Sequence, residues 1–331
     1  MKPIDISRYQ TVVRKAGRFM LDALQSDGSL GDEATSLDCY YKNIASLALI
    51  GHTEEAMRVA DFIQTRYMKD DGDFTGRSNP WFEEYPGYTN HWIAYGAHLI
   101  GRYDLSYRAM PHILKKQGPT GGFSAAQGRP YDILSTASAA HICLVTGFVE
   151  QARRAGDFIL KLLEKQPRPD ERFYVRSDAE GCPITEFSEE EASFFVVDTR
   201  RKRQLYFYYG FPMATLAKLY AATGDERYVR GGAQCFDFLL HCAEDRFRMP
   251  ASGKVGWGSS IMARVTGEDR YREGAVAVAD YLTETQHESG AWVHSLIYTQ
   301  LDEQPPAITL DLVGEFIAWM KLICTELSVG G

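Results

Sequence analysis

Three aspartates stand where a carboxylic acid can act as a proton donor. Asp38 in "SLDCYYKN", Asp132 in "RPYDILSTAS" and Asp311 in "AITLDLVG" each lie near the start of an apolar segment with helical spacing. Burial among apolar groups raises the pKa of a carboxyl, which suits a general acid. Asp38 and Asp132 are equally well placed to cap a helix N-terminus, and a structural role is the alternative for all three.

Two further groups complete a predicted acid–base site. His91 in "GYTNHWIAY" titrates near neutral pH, and Tyr41 follows Asp38 closely, so both are candidate catalytic residues. Rings close to the same segment starts can stabilise a cation or stack on a substrate ring, although packing between helices would also explain them. The predicted substrate-binding residues are Tyr40, Tyr88, Trp92, Tyr95, Tyr208, Tyr209, Phe211, Trp257 and Trp81.

The elements that carry these residues form a repeat. Five small-residue, apolar segments end in glycine, and a more polar helical segment follows each glycine, as expected for helical hairpins with a glycine C-cap. Three of the four spacings are 43 to 50 residues, and the fourth is 77. The glycines are Gly51, Gly101, Gly147, Gly224 and Gly267.

A second motif recurs at the ends of the polar helices. "QGPTGGF" and "QHESGAW" each combine a glutamine, a glycine turn and an aromatic ring. We expect the glutamine to tie the helix end to the turn, the glycine to permit a tight reversal, and the ring to pack against a neighbouring hairpin. The motif therefore concerns the fold and not the chemistry.

Adding the first and last helices to the five hairpins predicts an all-α protein, an α/α toroid of six helical hairpins that forms a single domain over residues 1–331. The last helix, "AITLDLVGEFIAWMKLICTEL", is too apolar for an open solenoid end, which favours closure. No segment has a convincing strand pattern. Residues 167–203 interrupt the repeat between the third and fourth hairpins and are predicted to form a lid; a homodimer contact is the alternative.

Composition narrows the function classes. The formal net charge of −8 argues against a nucleic-acid partner, and no apolar run reaches the ~20 residues of a membrane span. The N-terminal residues have no apolar core of a signal peptide, and six scattered cysteines suit reduced thiols, so a cytoplasmic location is expected. The sequence has no zinc signature, and neither a metal nor a cofactor is predicted.

The repeat resembles those of two enzyme families. "QGPTGGFSA" followed by "STASAAHICLVTG" is similar to the repeats of terpenoid cyclases and protein prenyltransferase β-subunits, and "QHESGAW" resembles the glutamine–tryptophan repeat of triterpene cyclases. The resemblance implies the α/α-toroid superfamily. The Asp-x-Asp-Asp proton-donor motif and the zinc ligands of these families are absent, so it implies no catalytic residue.

These observations predict a cofactor-free acid–base enzyme, a cyclase, isomerase or dehydratase/lyase. Its expected substrate is an apolar isoprenoid or polyketide-like small molecule, because aromatic residues outnumber the acids near the predicted cavity. Two alternatives stay open: a carbohydrate-active toroid similar to uronyl hydrolases or sugar epimerases, and a non-catalytic protein that binds a hydrophobic ligand.

Overall fold

The computed structural model describes residues 4–329, so residues 1–3 and 330–331 of the predicted domain lie outside the described residues. The described part contains fourteen α-helices. They are α1 Ile6–Ala23, α2 Asn43–Leu49, α3 Thr53–Tyr67, α4 Trp81–Glu84, α5 Pro86–Leu99, α6 Tyr103–Leu114, α7 Ile133–Val145, α8 Val149–Glu164, α9 Glu189–Phe195, α10 Phe207–Thr223, α11 Glu226–Leu240, α12 Gly253–Thr266, α13 Asp269–Glu284 and α14 Pro306–Val329. None of the helices in this part is long and apolar enough to cross a membrane.

The chain divides into two compact units. Unit 1 comprises the described residues up to 115 together with 282–325, which include α1 to α6 and most of α14. Unit 2 comprises residues 116–281 and the described residues from 326 onward, which include α7 to α12 and most of α13. The prediction of a single domain stays a prediction.

The predicted hairpins are present in both units. Helices α2 and α3, and α5 and α6, pair in unit 1, while α7 and α8, and α10 and α11, pair in unit 2. The first helix of a pair is buried along nearly its whole length, as in α5 and α7, whereas the second has one polar, exposed face. All five predicted glycines have positive φ, between 72° and 92°, as a C-cap requires.

The glutamine–glycine motif does the structural work predicted for it. In unit 2 the Gln117 amide donates hydrogen bonds to the carbonyl oxygens of Gly121 and Gln151, at 3.0 and 2.9 Å. In unit 1 the Gln286 amide donates to the carbonyl oxygens of Gly290 and Val12, both at 3.0 Å. The same side chain thus closes its own turn and ties that turn to another helix.

The inserted segment, residues 167–203, has more regular structure than its sequence pattern indicated. Its strands are β2 Arg172–Tyr174, β3 Arg176–Ser177 and β4 Val196–Asp198, and the short strand β1 Tyr131–Asp132 precedes α7. Strand β1 pairs antiparallel with β3, and β2 pairs antiparallel with β4. The apolar run that contains Phe194 and Phe195 forms the end of α9 and continues into β4. Phe195 and Val197 of this run are buried within unit 2. Its predicted function as a lid stays a prediction.

We expect Gly290→Ala to lower the free energy of unfolding by more than the ~1–2 kcal/mol of left-handed strain alone. Gly290 has φ +99°, and an added Cβ would lie 2.5 Å from the carbonyl oxygen of Lys15. Gly51→Ala is the matched control, because Gly51 has φ +92° and open space around the added atom. Chemical denaturation measures the free energy of unfolding of both variants. Equal decreases would refute the prediction that the backbone near Lys15 leaves no room for a side chain at Gly290.

Candidate active site

A lysine and two carboxylates form a largely buried charge cluster in unit 1. Lys42 lies directly before α2, and its ammonium group is 2.9 Å from Asp311 Oδ1 and bonded to Glu315 Oε2. Asp311 and Glu315 are four residues apart on α14, so they project from one face of that helix. Only 2% of the Lys42 side chain is exposed, which means that the pair of carboxylates replaces its hydration.

Neighbouring groups of unit 1 surround the cluster. The Trp319 indole, one further turn along α14, donates to Glu315 Oε1 at 2.9 Å. The Tyr41 hydroxyl lies near Asp311 and lowers the pKa of that carboxyl, and the Tyr41 ring lies 4.9 Å from the Lys42 ammonium. Gly314 permits α14 to approach the start of α2, because an added Cβ would lie 2.1 Å from Asn43 Oδ1.

The cluster favours a protonated Asp311. Burial raises the pKa of the Asp311 carboxyl; Lys42 and the Tyr41 hydroxyl act against this rise, while Glu315 adds to it. One ammonium faces two carboxylates, so retaining a proton on one of them avoids an uncompensated buried charge. Protein atoms surround Asp311, yet 21% of its side-chain surface stays accessible to solvent.

His294 is a further titratable group of this cluster. It lies in the segment before α14, where its backbone N–H donates to Gln304 Oε1 at 2.6 Å. Burial lowers the pKa of His294, and the nearby carboxylates of Glu315 and Asp311 act in the opposite direction. A neutral imidazole is therefore held close to the two acids and is available as a proton acceptor.

A row of aromatic rings belongs to the same unit. The Trp81 and Tyr88 ring centroids are 5.5 Å apart, Tyr88 and Trp92 are 6.4 Å apart, and Trp92 and Trp319 are 5.2 Å apart. All three contacts are edge to face. Since Trp319 bonds Glu315, the row ends at the charge cluster and gives it an aromatic wall.

Six of the predicted site residues therefore meet in unit 1. They are Tyr41, Asp311, Tyr88, Trp92, Trp81 and Tyr95, whose ring centroid is 5.9 Å from that of Trp92. His91 is also buried on α5, between two of these residues in sequence, and its catalytic role stays a prediction. Tyr40 has a different place, since its hydroxyl donates to the Ala34 carbonyl oxygen and accepts from Leu30 N–H.

Asp38 anchors a loop of unit 1. Its Oδ2 accepts hydrogen bonds from the backbone N–H and hydroxyl of Ser78 and from the backbone N–H of Asn79, at 2.7 to 2.8 Å. These bonds fix the loop that leads into α4 and hence to Trp81. They favour a positioning role for Asp38, and its predicted role as a proton donor stays a prediction.

The remaining predicted residues lie in unit 2. Asp132 caps α7 by accepting the Ser135 backbone N–H at 2.6 Å, and burial raises the pKa of Asp132 to about 6, against the effects of Ser135 and Arg176. Phe211 and Trp257 pack together, with ring centroids 5.4 Å apart. The Tyr208 hydroxyl donates to a backbone carbonyl, and Tyr209 packs on a phenylalanine ring 4.8 Å away; both are used in packing.

Sequence reasoning missed Glu315, His294 and Trp319 as site residues and passed over Lys42. The signal was present in α14, where an acid, a second acid and a tryptophan follow one another at four-residue intervals within an otherwise apolar helix. A polar group repeated on the face of a buried helix indicates a shared partner. Among the described residues, no group of three or more His, Cys, Asp or Glu side chains is placed to hold a metal ion.

Comparisons with solved structures show the fold. No protein-family profile and no curated protein matches the sequence. A D-mannose isomerase is 10% identical, with a TM-score of 0.68 over 97% of this chain and 99% of the other. A GH76 α-mannanase from Bacteroides thetaiotaomicron is 12% identical, with a TM-score of 0.65 over 98% and 97%. The type II terpene cyclase MstE from Scytonema is 15% identical, with a TM-score of 0.57 over 98% and 100%. The chain therefore has the predicted α/α-toroid fold, like members of that superfamily.

Replacing Lys42 by methionine should destabilise the protein by about 3–5 kcal/mol near neutral pH, because the negative charge that Asp311 and Glu315 hold out of water loses its counter-charge. The loss should be smaller at about pH 5, since a protonated carboxyl needs no ammonium partner. Lys115→Met is the control: its ammonium is 3.5 Å from Asp71 on the surface and half-exposed, so the change should stay under about 1 kcal/mol. Similar losses in both variants would contradict a buried charge cluster.

Asp132→Asn tests the second buried acid through the pH dependence of stability. Since folding raises this pKa from 3.8 to about 6, the folded state binds the extra proton, and stability falls by up to about 3 kcal/mol as pH rises through that window. The asparagine variant should lack this fall and become the more stable form near pH 7.

Asp225→Asn is the matched control at another helix cap. Hydrogen bonds from Arg227 lower the pKa of Asp225, so its asparagine variant should be the less stable form near pH 7. Denaturation curves at several pH values measure both effects. Parallel curves for Asp132→Asn and the unaltered protein would contradict the raised pKa.

Proposed function

We propose that the protein is an enzyme that works by proton transfer without a cofactor, as a cyclase, isomerase or dehydratase/lyase. The observation that carries the proposal is Asp311, an acid whose pKa is raised by burial and which is still accessible at the end of a row of aromatic rings. Buried acids with raised pKa values are concentrated at catalytic sites. Of the three aspartates singled out in the sequence, Asp311 combines these properties with a counter-charge.

The arrangement supports a reaction that begins by protonation of the substrate. Asp311 gives its proton to an alkene carbon or to a leaving hydroxyl group, and the substrate takes up the positive charge. The carboxylate left behind is stabilised by the Lys42 ammonium at 2.9 Å and by the Tyr41 hydroxyl. Those two groups thus interact more strongly after the transfer than before it, which is the requirement for lowering the barrier.

The end of the reaction needs a proton acceptor. In an isomerisation or cyclisation, loss of a proton from the cationic intermediate restores neutrality, and the Asp311 carboxylate or the neutral His294 imidazole takes that proton. In a dehydration, the protonated hydroxyl group departs as water, and the remaining cation then loses a proton to the same acceptor. No net redox change occurs in either case, so the residues of the cluster suffice.

An apolar isoprenoid or polyketide-like small molecule fits the rings better than a polar chain does. The faces and edges of Trp81, Tyr88 and Trp92 lie in one row, and such π-surfaces stabilise a developing carbocation. The terpene cyclase among the structural neighbours acts on a geranylgeranyl compound within the same fold, which supports this choice.

A carbohydrate is the second candidate substrate. Asp311, Glu315 and His294 each retain some accessible surface, and three polar groups together can bind sugar hydroxyls as well as transfer protons. A mannose isomerase and mannanases are among the structural neighbours, and aromatic rings stack on sugars too. On this reading the same acid and imidazole catalyse isomerisation or hydrolysis of a sugar.

Asp311→Asn should abolish turnover, by about 10²-fold or more, while binding is retained. The purified protein is incubated in D₂O with apolar isoprenoids and polyketides and, separately, with mannose and uronic-acid oligosaccharides. Mass spectrometry then detects products that carry deuterium from the solvent, as expected for cyclisation or isomerisation, and products that have lost the mass of water, as expected for dehydration. The control is Asp302→Asn, which changes an exposed carboxylate shortly before α14.

The outcomes separate the candidates. An apolar substrate gains deuterium in a cyclisation or isomerisation and loses the mass of water in a dehydration; either product, lost only in Asp311→Asn, supports the cyclase, isomerase or lyase function. Turnover or thermal stabilisation with sugars alone moves the assignment to carbohydrate chemistry. If the unaltered protein binds a ligand but does not turn it over, the proposed enzymatic function is refuted, and the non-catalytic binding function is supported instead.

A further inference from the structure

The inserted segment of unit 2 contains a cleft of its own, and none of the residues that line it belongs to the candidate active site. The cleft has a volume of about 640 Å³, within the range of small-molecule sites. Its lining residues all belong to unit 2, between Arg172 and Leu205, whereas the acid cluster belongs to unit 1. The cleft is therefore not a part of the acid cluster described above.

Its floor is apolar and fixed by secondary structure. Tyr174 and Val196 are paired across β2 and β4, and Ala192 comes from α9, which is joined directly to β4. Phe187 and Leu205 also line the cleft and add to its apolar surface. The capping box at Ser188 and Glu191 holds the start of α9, so this wall is built before any ligand arrives.

Its rim carries an excess of positive charge. Arg172, Arg201 and Arg203 line the cleft together with the carboxylates of Glu189 and Asp198, which leaves one positive charge in excess. Within residues 4–329, no hydrogen bond or ion pair engages the guanidinium group of Arg172 or of Arg201. By contrast, Arg168 and Arg200, on the same segment but outside the cleft, both pair with Glu171.

The loop that carries two of these arginines is held in an unusual conformation. Arg203 has φ +63°, the one non-glycine residue of the described chain with positive φ. Its backbone N–H donates to Asp245 Oδ2 at 2.7 Å, and the neighbouring Lys202 pairs with Glu244. A left-handed backbone at arginine costs free energy, so these anchors keep the rim in a shape that an unrestrained loop would not adopt.

We propose that this cleft binds a small monocarboxylate with an apolar body. A guanidinium group matches a carboxylate through two parallel hydrogen bonds, and the two uncommitted guanidinium groups supply those donors. An excess of one positive charge suits a monoanion, whereas a phosphate dianion would meet the carboxylates of Glu189 and Asp198 without full compensation. The apolar body of the ligand lies along the floor formed by Tyr174, Val196 and Leu205.

The test is isothermal titration calorimetry with octanoate as the probe. Octanoate should saturate the unaltered protein, and the double variant R172Q/R201Q should bind it at least about tenfold more weakly. The matched control is R168Q/R200Q, which removes two arginines of the same segment that lie outside the cleft and should leave the affinity unchanged. Octanamide, acetate and inorganic phosphate test the charge, the apolar body and the monoanion preference, and each should bind at least about tenfold more weakly than octanoate.

The proposal is independent of the reaction proposed for unit 1, and its failure is recognisable by itself. It is overturned if octanoate does not saturate the unaltered protein or if both double variants lose affinity equally. It is overturned as well if octanamide, acetate or phosphate binds as tightly as octanoate. Circular dichroism of both double variants confirms that the exposed substitutions leave the fold intact.

Discussion

The Lys42 ammonium group, held out of water between two carboxylates, is the interaction on which the rest of unit 1 depends. Desolvating three charges is costly, and the cost is recovered only if each charge finds its partners at hydrogen-bond distance. That requirement fixes the start of α2 against one face of α14, and Gly314 provides the space for the approach. The same burial raises the pKa of Asp311, so a structural constraint and a chemical property have one origin.

The fold could be predicted from the sequence because its signals are local. Each hairpin ends at a glycine that needs positive φ, and each Gln117-type turn is closed by a side chain four residues from its acceptor. Such features appear in a short window of sequence and recur, so the repeat was visible. The strands of the inserted segment were missed because two- and three-residue ladders lack the alternation that marks a longer strand.

The site was harder to predict because its contacts join distant parts of the chain. Asp311 was recognised as an acid near a helix start, but nothing local to it indicates a lysine more than 200 residues earlier. Asp38 and Asp132 carried the same local signal, yet one anchors a loop and the other caps a helix. An α/α toroid is shared by sugar and terpene enzymes, so the difference between them rests on side chains such as these.

Unit 1 is assembled from both ends of the described chain, whereas unit 2 is drawn almost entirely from one continuous stretch, residues 116–281. During synthesis, domains fold in the order in which they leave the ribosome. Unit 2 therefore has its residues available before α14 is made, while Lys42 precedes Glu315 by 273 residues. The acid cluster cannot form until α14 has been made, and a nascent chain that stops short of α14 carries every aromatic ring of α5 but neither carboxylate of the cluster.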